Sequence, residues 1–266
     1  MSFPTTVLPD RAVIEVAGAD AASFLQGLIT NDIAKAANGG AIFAALLTPQ
    51  GKIIAAFLVT PTNEGFLLDC AKAQAADLAA RLKKYKLRAK VTIAERPDLA
   101  VVASPNASDG AFADPRLAAL GFRAYQTNPP ASDNAAAYHA HRIALGVPEA
   151  SDLAPETHFP LDCNFEELHG VDFEKGCYVG QELTARMKHR ATARRRILRV
   201  EAPSPLPPPG TPIKLGDTEL GEMLGSLHGQ GLCLVRLDRL GDATEAAVGD
   251  LAVRISRPSY PLITKD

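Results

Sequence analysis

The stretch "DFEKGCYVGQELTARMKHR", residues 172–190, sets Cys177 directly after Gly176 and two residues after Lys175. The run "VGQELTARMKH" has helical character, with Glu182 early and Lys188 late, the order that a helix dipole favours. Cys177 is therefore expected at or just before a helix N-terminus. There the positive end of the dipole and a neighbouring lysine both stabilise a thiolate. Gly176 and Gly180 supply the backbone freedom that a tight loop needs. The chemistry implied is that of a reactive thiol; the competing reading is a buried packing cysteine, the commoner fate of a lone one. The other cysteines, Cys70, Cys163 and Cys233, are scattered with no C-x-x-C pair, which indicates neither a disulfide framework nor a zinc site. Cys70 and Cys233 lie in apolar, strand-like runs and read as core. Cys163 falls in a long irregular connection and stays open.

Other constellations say less. His139 and His141 are two apart on a helical run and point to different sides. Glu166 and His169 have the spacing of half a di-iron carboxylate site, without the second half, so no permanent metal is expected. No P-loop or G-x-G-x-x-G occurs. Two basic segments, "RLKKYKLRAK" (81–90) and "RMKHRATARRRILR" (186–199), read first as solvated faces. The second follows the cysteine so closely that its cations could line the mouth of the same cleft and hold an anionic tail, a phosphate or RNA.

These residues need a scaffold, and 266 residues at 47% apolar and 22% charged are enough for one large domain or two unequal ones. A net charge of -2 gives no global pull toward nucleic acid or an acidic membrane. The apolar runs are strand-sized, and "MSFPTTVLPDRAVIEV" lacks the basic flank and apolar core of an export signal. The expectation is a cytoplasmic, reduced protein with no membrane partner. "AVIEV" reads as a strand leading to a helix capped by Asp20, and "AIFAALLT", "KIIAAFLVT" and "GFLLDC" as a β-meander. "AKAQAADLAARLKKYKL" is a helix, and "DNAAAYHAHRIALG" another, capped by Asp133 and ended by Gly146. Beyond residue 195 short strands alternate with turns. The fold class is α+β, with a domain over 1–195 and a small β-domain over 196–266.

At this point the chain resembles a known family. "KGCYVGQE", residues 175–182, is similar to the K-G-C-Y-x-G-Q-E motif of the YgfZ family. "ADAASFLQGLITND", "LLTPQGKIIAAFLV", "LKKYKLRAKVTI", "HRIALGVPE" and "FPLDCNFEELHGVDFEKG" fall in the family's order, so the likeness spans nearly the whole chain. It implies the fold of the glycine-cleavage aminomethyltransferase: two α/β lobes enclosing a tetrahydrofolate cavity, with a small β-barrel beside them. It implies a role in making or maintaining iron–sulfur clusters, with assembly factors or recipient enzymes as partners and an indirect effect on tRNA modification. It makes Cys177 the working residue, with Lys175, Gly176, Tyr178, Gly180, Gln181 and Glu182 as its support.

The same resemblance places folate contacts at Tyr138, Asp162 and Arg11, with Asn31 orienting the loop beside the cavity. One departure bears on activity. Where the transferases carry two acids on the central hairpin, this chain has Ala55 and Ala56. A methyl group can neither hydrogen-bond an amine nor steady a cationic intermediate. A folate-binding accessory protein is therefore expected ahead of its rivals, a one-carbon (aminomethyl) transferase and a direct tRNA-binding module.

Overall fold

The computed structural model describes residues 3–38, 40–132, 134–190 and 194–263. β1 (Thr6–Val7) and β2 (Arg11–Ala17) precede α1 (Ala21–Gln26) and α2 (Ile33–Ala37). Then come β3 (Ile42–Leu47), β4 (Ile53–Pro61), β5 (Gly65–Ala71), α3 (Lys72–Tyr85), β6 (Thr92–Glu95), β7 (Ala100–Ser104), β8 (Phe112–Ala113), β9 (Phe122–Gln126) and α4 (Ala135–Leu145). A long connection leads to α5 (Gln181–Arg190). The chain finishes with β10 (Arg195–Glu201), β11 (Pro212–Leu215), β12 (Thr218–Leu227), β13 (Gln230–Arg236), α6 (Leu237–Leu240), β14 (Glu245–Val248) and β15 (Leu251–Ser256). Two open sheets, β3-β4-β5-β2-β6 and β1-β7-β9-β8, form the two lobes, and β10-β13-β12-β11-β14-β15 closes into a six-stranded barrel.

The meander expected over residues 41–70 is the centre of the first sheet. β4 is a continuous apolar run because it is covered on both faces. Ile53, Ala56 and Leu58 enter a core shared with Phe165, Tyr138 and the barrel residues Ile197 and Leu234. Ile54, Ala55, Phe57 and Val59 enter a second core roofed by α1, α2 and α3. Each buried Leu, Ile or Phe in such a strand stabilises the fold by about 1.5–3 kcal/mol. α3 contributes Ala75, Leu78, Ala79 and Leu82 to that second core and leaves Lys83 and Lys84 at its C-terminal end, where the dipole favours cations.

Local details differ from expectation. Asp20 precedes α1 but does not cap it; its carboxylate accepts from the Lys90 backbone N–H at 2.7 Å instead. The first helix is two helices, because Asp32 caps a second one by accepting from Ala34 N–H at 3.0 Å. The expected cap Asp133 lies outside the described residues, but Gly146 ends α4 in the left-handed conformation as expected. The barrel gains a strand, β14, too short and polar to stand out in "EAAV".

Candidate functional site

Three features hold the Cys177 loop, two of them from distant parts of the sequence. The first is "TND". Thr30 Oγ1 donates to Gly170 O at 2.6 Å and accepts from Ala45 N–H at 2.9 Å. Asn31 Nδ2 donates to Phe43 O at 2.8 Å and to His169 O at 2.7 Å, so its amide staples the loop to β3 rather than facing a ligand. The second is "TPQGK", the β3–β4 turn. Gly51 and Gly180 both have left-handed backbones, with φ of 77° and 82°, and pack directly against each other. A Cβ at Gly180 would lie 2.5 Å from Thr48 O, and one at Gly51 3.1 Å from Gly180 O. Only glycine permits that approach. The third is Asp172, whose Oδ1 accepts from the backbone N–H groups of Glu174 (2.7 Å) and Lys175 (3.1 Å).

Lys175 does not face the thiol. Its ammonium is buried and donates to Gln26 O (2.8 Å), Ile29 O (2.6 Å) and Asn31 O (2.9 Å), closing the carbonyl end of α1. Burial pushes its pKa down to about 8, against the pull of Asp32 and Asp172. The ring of Tyr178 stacks 4.9 Å from Nζ. Lys175 is thus a positioning residue for the loop, and the expected thiolate partner is corrected to a lysine whose ammonium is taken up by backbone carbonyls. Gly176 stands in open space, whereas Gly180 makes the close approach. Cys177 itself is exposed, four residues before α5 begins at Gln181. Gln181 and Tyr178 line a pocket of about 240 Å³ with Phe173, Ala185, Lys188 and His189, and Glu182 points to solvent from the first turn of α5.

The remaining cysteines are sealed. Cys70 and Cys233 make only weak S–H contacts to Ala12 O and Leu198 O, and burial pushes both thiols up to about 12. Cys163 is fully buried and is pushed well up by the same desolvation, so the open question over it resolves to core packing.

The expected folate contacts do not assemble as one site. Arg11 is buried and bonded through Nε to Asp69 (2.7 Å), through Nη2 to Asp69 O (2.7 Å) and through Nη1 to Glu149 (2.5 Å). Tyr138 has no exposed surface. Its ring packs edge-on against Phe3, and its hydroxyl accepts from Arg116 and Arg123 while donating to Glu149 at 3.3 Å. Neither side chain offers a face to a pterin, because each already lies inside an ionic cluster. That cluster holds Arg11, Arg116, Arg123 and Arg142 against Asp69, Asp114, Glu149 and Asp152, four charges of each sign. Sequence reading missed it, since its members are scattered through the chain.

Asp162 lies elsewhere, where hairpin, connection and barrel meet. The connection runs along the start of β4, with Ile53 N–H donating to His158 O (2.9 Å) and Glu156 N–H donating to Ile53 O (2.7 Å). Asn164 pins it to the barrel, its amide exchanging bonds of 2.8 and 3.0 Å with the backbone of Ile197. Burial pushes the Asp162 carboxyl up to about 6, against Arg195 and Arg196. Burial also lowers the pKa of His158, within the fields of Glu222, Arg195 and Lys52. Ala55 and Ala56 are both buried, on opposite faces of β4, so neither position offers a group for an amine. The basic run after Cys177 is divided: Lys188 pairs with Glu166, Arg196 with Glu167 at 3.0 Å, and Arg199 donates to Arg257 O and Ala144 O, while Arg186, Arg190, Arg194 and Arg195 are exposed.

Comparison with known proteins places this geometry. Residues 11–109 match the GCVT N-terminal domain, and residues 194–261 match the CAF17 C-terminal beta-barrel domain. The human mitochondrial iron–sulfur cluster assembly factor IBA57 is 36% identical over 263 residues, covering 84% of this chain and 74% of the human one. The chain belongs to the IBA57 family of iron–sulfur cluster assembly factors. The mouse member is 32% identical, covering 97% of this chain and 82% of its own. The Neurospora crassa member is 35% identical over 73% of this chain; the chain spans about half of that relative's length, 52%. Each of these relatives is named as mitochondrial, which overturns the cytoplasmic expectation. In fold, the chain is similar to the glycine cleavage system aminomethyltransferase T from Bartonella henselae, with a TM-score of 0.76 at 14% identity, over 97% of this chain and 86% of that one. The expected α+β aminomethyltransferase-type fold with its C-terminal barrel is therefore present. Among the described residues no helix is long and apolar enough to cross a membrane, and no group of three or more metal-binding side chains is gathered.

Proposed function

We propose that this chain serves iron–sulfur cluster assembly, with the Cys177 thiolate as a transient ligand for iron or a cluster. The observation that carries this reading is exposure: among the described residues Cys177 is the accessible cysteine, while Cys70, Cys163 and Cys233 are buried. One thiolate falls short of the four ligands that clusters usually take, so a partner must supply the rest and the cargo passes on. Gly180, Lys175, Asp172 and the "TND" segment hold the loop so that the sulfur is presented rather than packed. Cys177→Ala removes no buried contact, so its melting temperature should match the parent. It should fail to restore cluster-dependent enzyme activity in cells lacking the native protein. Full rescue by the variant would remove Cys177 from the mechanism.

Of the residues expected to contact tetrahydrofolate, Asp162 alone is kept in this reading, with new neighbours. Asp162 is the remaining acid for the amino-pyrimidine edge of a pterin, and Lys52 and Arg195 are cations suited to the ligand's carboxylate tail. Folate would supply a one-carbon carrier when bound; with Ala55 and Ala56 on the hairpin, the reading favours retained binding over aminomethyl transfer. Any influence on tRNA modification is proposed to run through cluster-dependent enzymes, since no aromatic residue is interleaved with the basic run after Cys177 as a base-stacking platform requires.

Asp162 gives this part a pH signature. Its folded pKa of about 6 exceeds its usual 3.8, so the folded chain keeps the proton longer and stability falls as pH rises through that interval. Discounted for partial exposure, the burden above the interval is about 1–2 kcal/mol. Asp162→Asn should raise the melting temperature at neutral pH, change it little near pH 4, and weaken tetrahydrofolate binding in calorimetry. Tyr138→Phe should leave that affinity unchanged. If instead Tyr138→Phe abolishes binding and Asp162→Asn does not, the ligand site lies in the ionic cluster.

A further inference from the structure

The first basic segment does not lie flat as a solvated helix face. α3 stops at Tyr85, Lys86 donates back to Leu82 O at 3.1 Å, and the next residue, Leu87, takes a left-handed backbone with φ of 45°. A leucine there is strained, and this one is also 88% exposed, far more than any other large apolar residue described. Around it Lys83, Lys84, Arg88 and Lys90 are exposed and Lys86 is half-buried. Among the described residues none of these five makes an ion pair, although Arg81 one turn earlier pairs with both Asp77 and Glu156. Tyr85 adds a partly exposed ring at 37%.

The tip is held rather than frayed. Ala89 N–H donates to Lys86 O at 2.8 Å, and Val91 N–H to Ala89 O at 2.9 Å. Lys90 N–H donates to the Asp20 carboxylate at 2.7 Å, and a Cβ at Gly18 would collide with Lys90 O. The fold thus fixes an exposed apolar side chain among exposed cations that make no ion pair among the described residues, in a chain whose overall charge is -2. The acids nearby are Asp20, occupied by that backbone bond, and Glu64, which lines the adjacent groove with Lys86 and Lys90.

We propose that this tip is a peripheral docking point on an anionic lipid surface, with Leu87 entering the headgroup–acyl boundary and the cations meeting lipid phosphates. A bilayer interface accepts both features at once: apolar side chains go in, aromatic rings sit at headgroup level, and lysine stems reach outward. Nucleic acid would use the cations but has no use for an exposed leucine. The tip and the Cys177 loop are fastened to opposite ends of one short helix, Asp20 before α1 holding Lys90 and Gln26 at its end holding Lys175. A surface bound at the tip would lie near the proposed cluster-handling loop, although the docking inference stands without it.

The test is co-sedimentation of the full chain with vesicles of phosphatidylcholine alone and with about one third phosphatidylglycerol. Binding is expected to the anionic vesicles only, falling with salt. Lys83→Ala with Lys84→Ala should weaken it about 25-fold, roughly five-fold per cation. Leu87→Gly should weaken it about ten-fold or more while raising the melting temperature, since glycine suits the left-handed backbone. No binding to anionic vesicles, equal binding to neutral ones, or binding indifferent to Leu87→Gly would each overturn the proposal. Retention of tRNA at protein concentrations where anionic vesicles are not bound would assign the cations to nucleic acid instead.

Discussion

Glu149→Ala is expected to destabilise the protein by about 3–5 kcal/mol, the loss seen when one partner of a buried ionic pair is removed. Glu149 is 4% exposed and sits at the centre of the ionic cluster. Its Oε2 accepts from Arg11, and its Oε1 from Arg116 at 3.0 Å, Arg123 at 3.3 Å and the Tyr138 hydroxyl at 3.3 Å. Burial opposes its ionisation, but Arg11, Arg116, Arg123 and Arg142 together hold its carboxyl well below the ordinary carboxylate range. The cluster balances four arginines with four acids, so removing one acid leaves a net positive charge in the interior. The neighbours cannot compensate. Asp69 Oδ2 stands 3.8 Å from Arg123 Nη1, and Asp114 Oδ2 stands 3.7 Å from Arg123 Nε, beyond hydrogen-bond reach. Because the folded pKa is depressed, the stabilisation is present above the usual carboxylate value of 4.5 and is lost as pH falls toward the folded one. Thermal melts should therefore show the largest gap between parent and variant near neutral pH, narrowing in acid. Arg81→Ala is the control: it breaks exposed pairs with Asp77 and Glu156, and such pairs carry about 0–1 kcal/mol. Equal melting of Glu149→Ala and Arg81→Ala would show that the cluster contributes no more than surface charge.

The contrast between this cluster and the motif loop explains what the sequence could and could not reveal. The meander was legible because three apolar runs are separated by turn residues, and α3 because its apolar positions recur at helical spacing over fourteen residues. The cysteine loop was legible as a tight turn before a helix, because two glycines and a helix start lie within a few residues of Cys177, but those neighbours left its exposure open between a reactive thiol and a packed one. The ionic cluster was not. Arg11 meets Glu149 across 138 positions and Asp69 across 58, and an arginine at a strand start looks the same in sequence whether it is buried or free. Tyr138 and Arg11 were placed on a ligand cavity by resemblance, whereas both are consumed by internal partners. Lys175 shows a subtler failure. Its nearness in sequence to Cys177 suggested a thiolate partner, but three carbonyls around α1 compete for one ammonium and win by geometry. Local pattern fixes elements; the pairing of charges depends on which elements the topology brings together.

The two glycines of the motif separate backbone need from mere sequence habit. Gly180→Ala would set a methyl 2.5 Å from Thr48 O and 2.9 Å from Leu47 Cβ, in a backbone with φ of 82°. The left-handed conformation alone costs an alanine about 1–2 kcal/mol. The clash with a backbone oxygen cannot be relieved by a rotamer change, so the loop must lift from the β3–β4 turn, for a total of about 3 kcal/mol or more. Lifting breaks the Gly51–Gly180 contact and the Val179 N–H bond to Gly27 O at 3.3 Å, leaving Cys177 tethered but unaimed. Gly176→Ala meets nothing within 4 Å and should change stability by less than about 0.5 kcal/mol. Melting temperature, thiol reactivity toward a small alkylating reagent, and rescue of cluster-enzyme activity should therefore part the two variants. Gly180→Ala should melt lower and fail to rescue despite a thiol that still alkylates; Gly176→Ala should match the parent in all three. If both rescue equally, presentation of Cys177 does not depend on the docking of its loop against the hairpin.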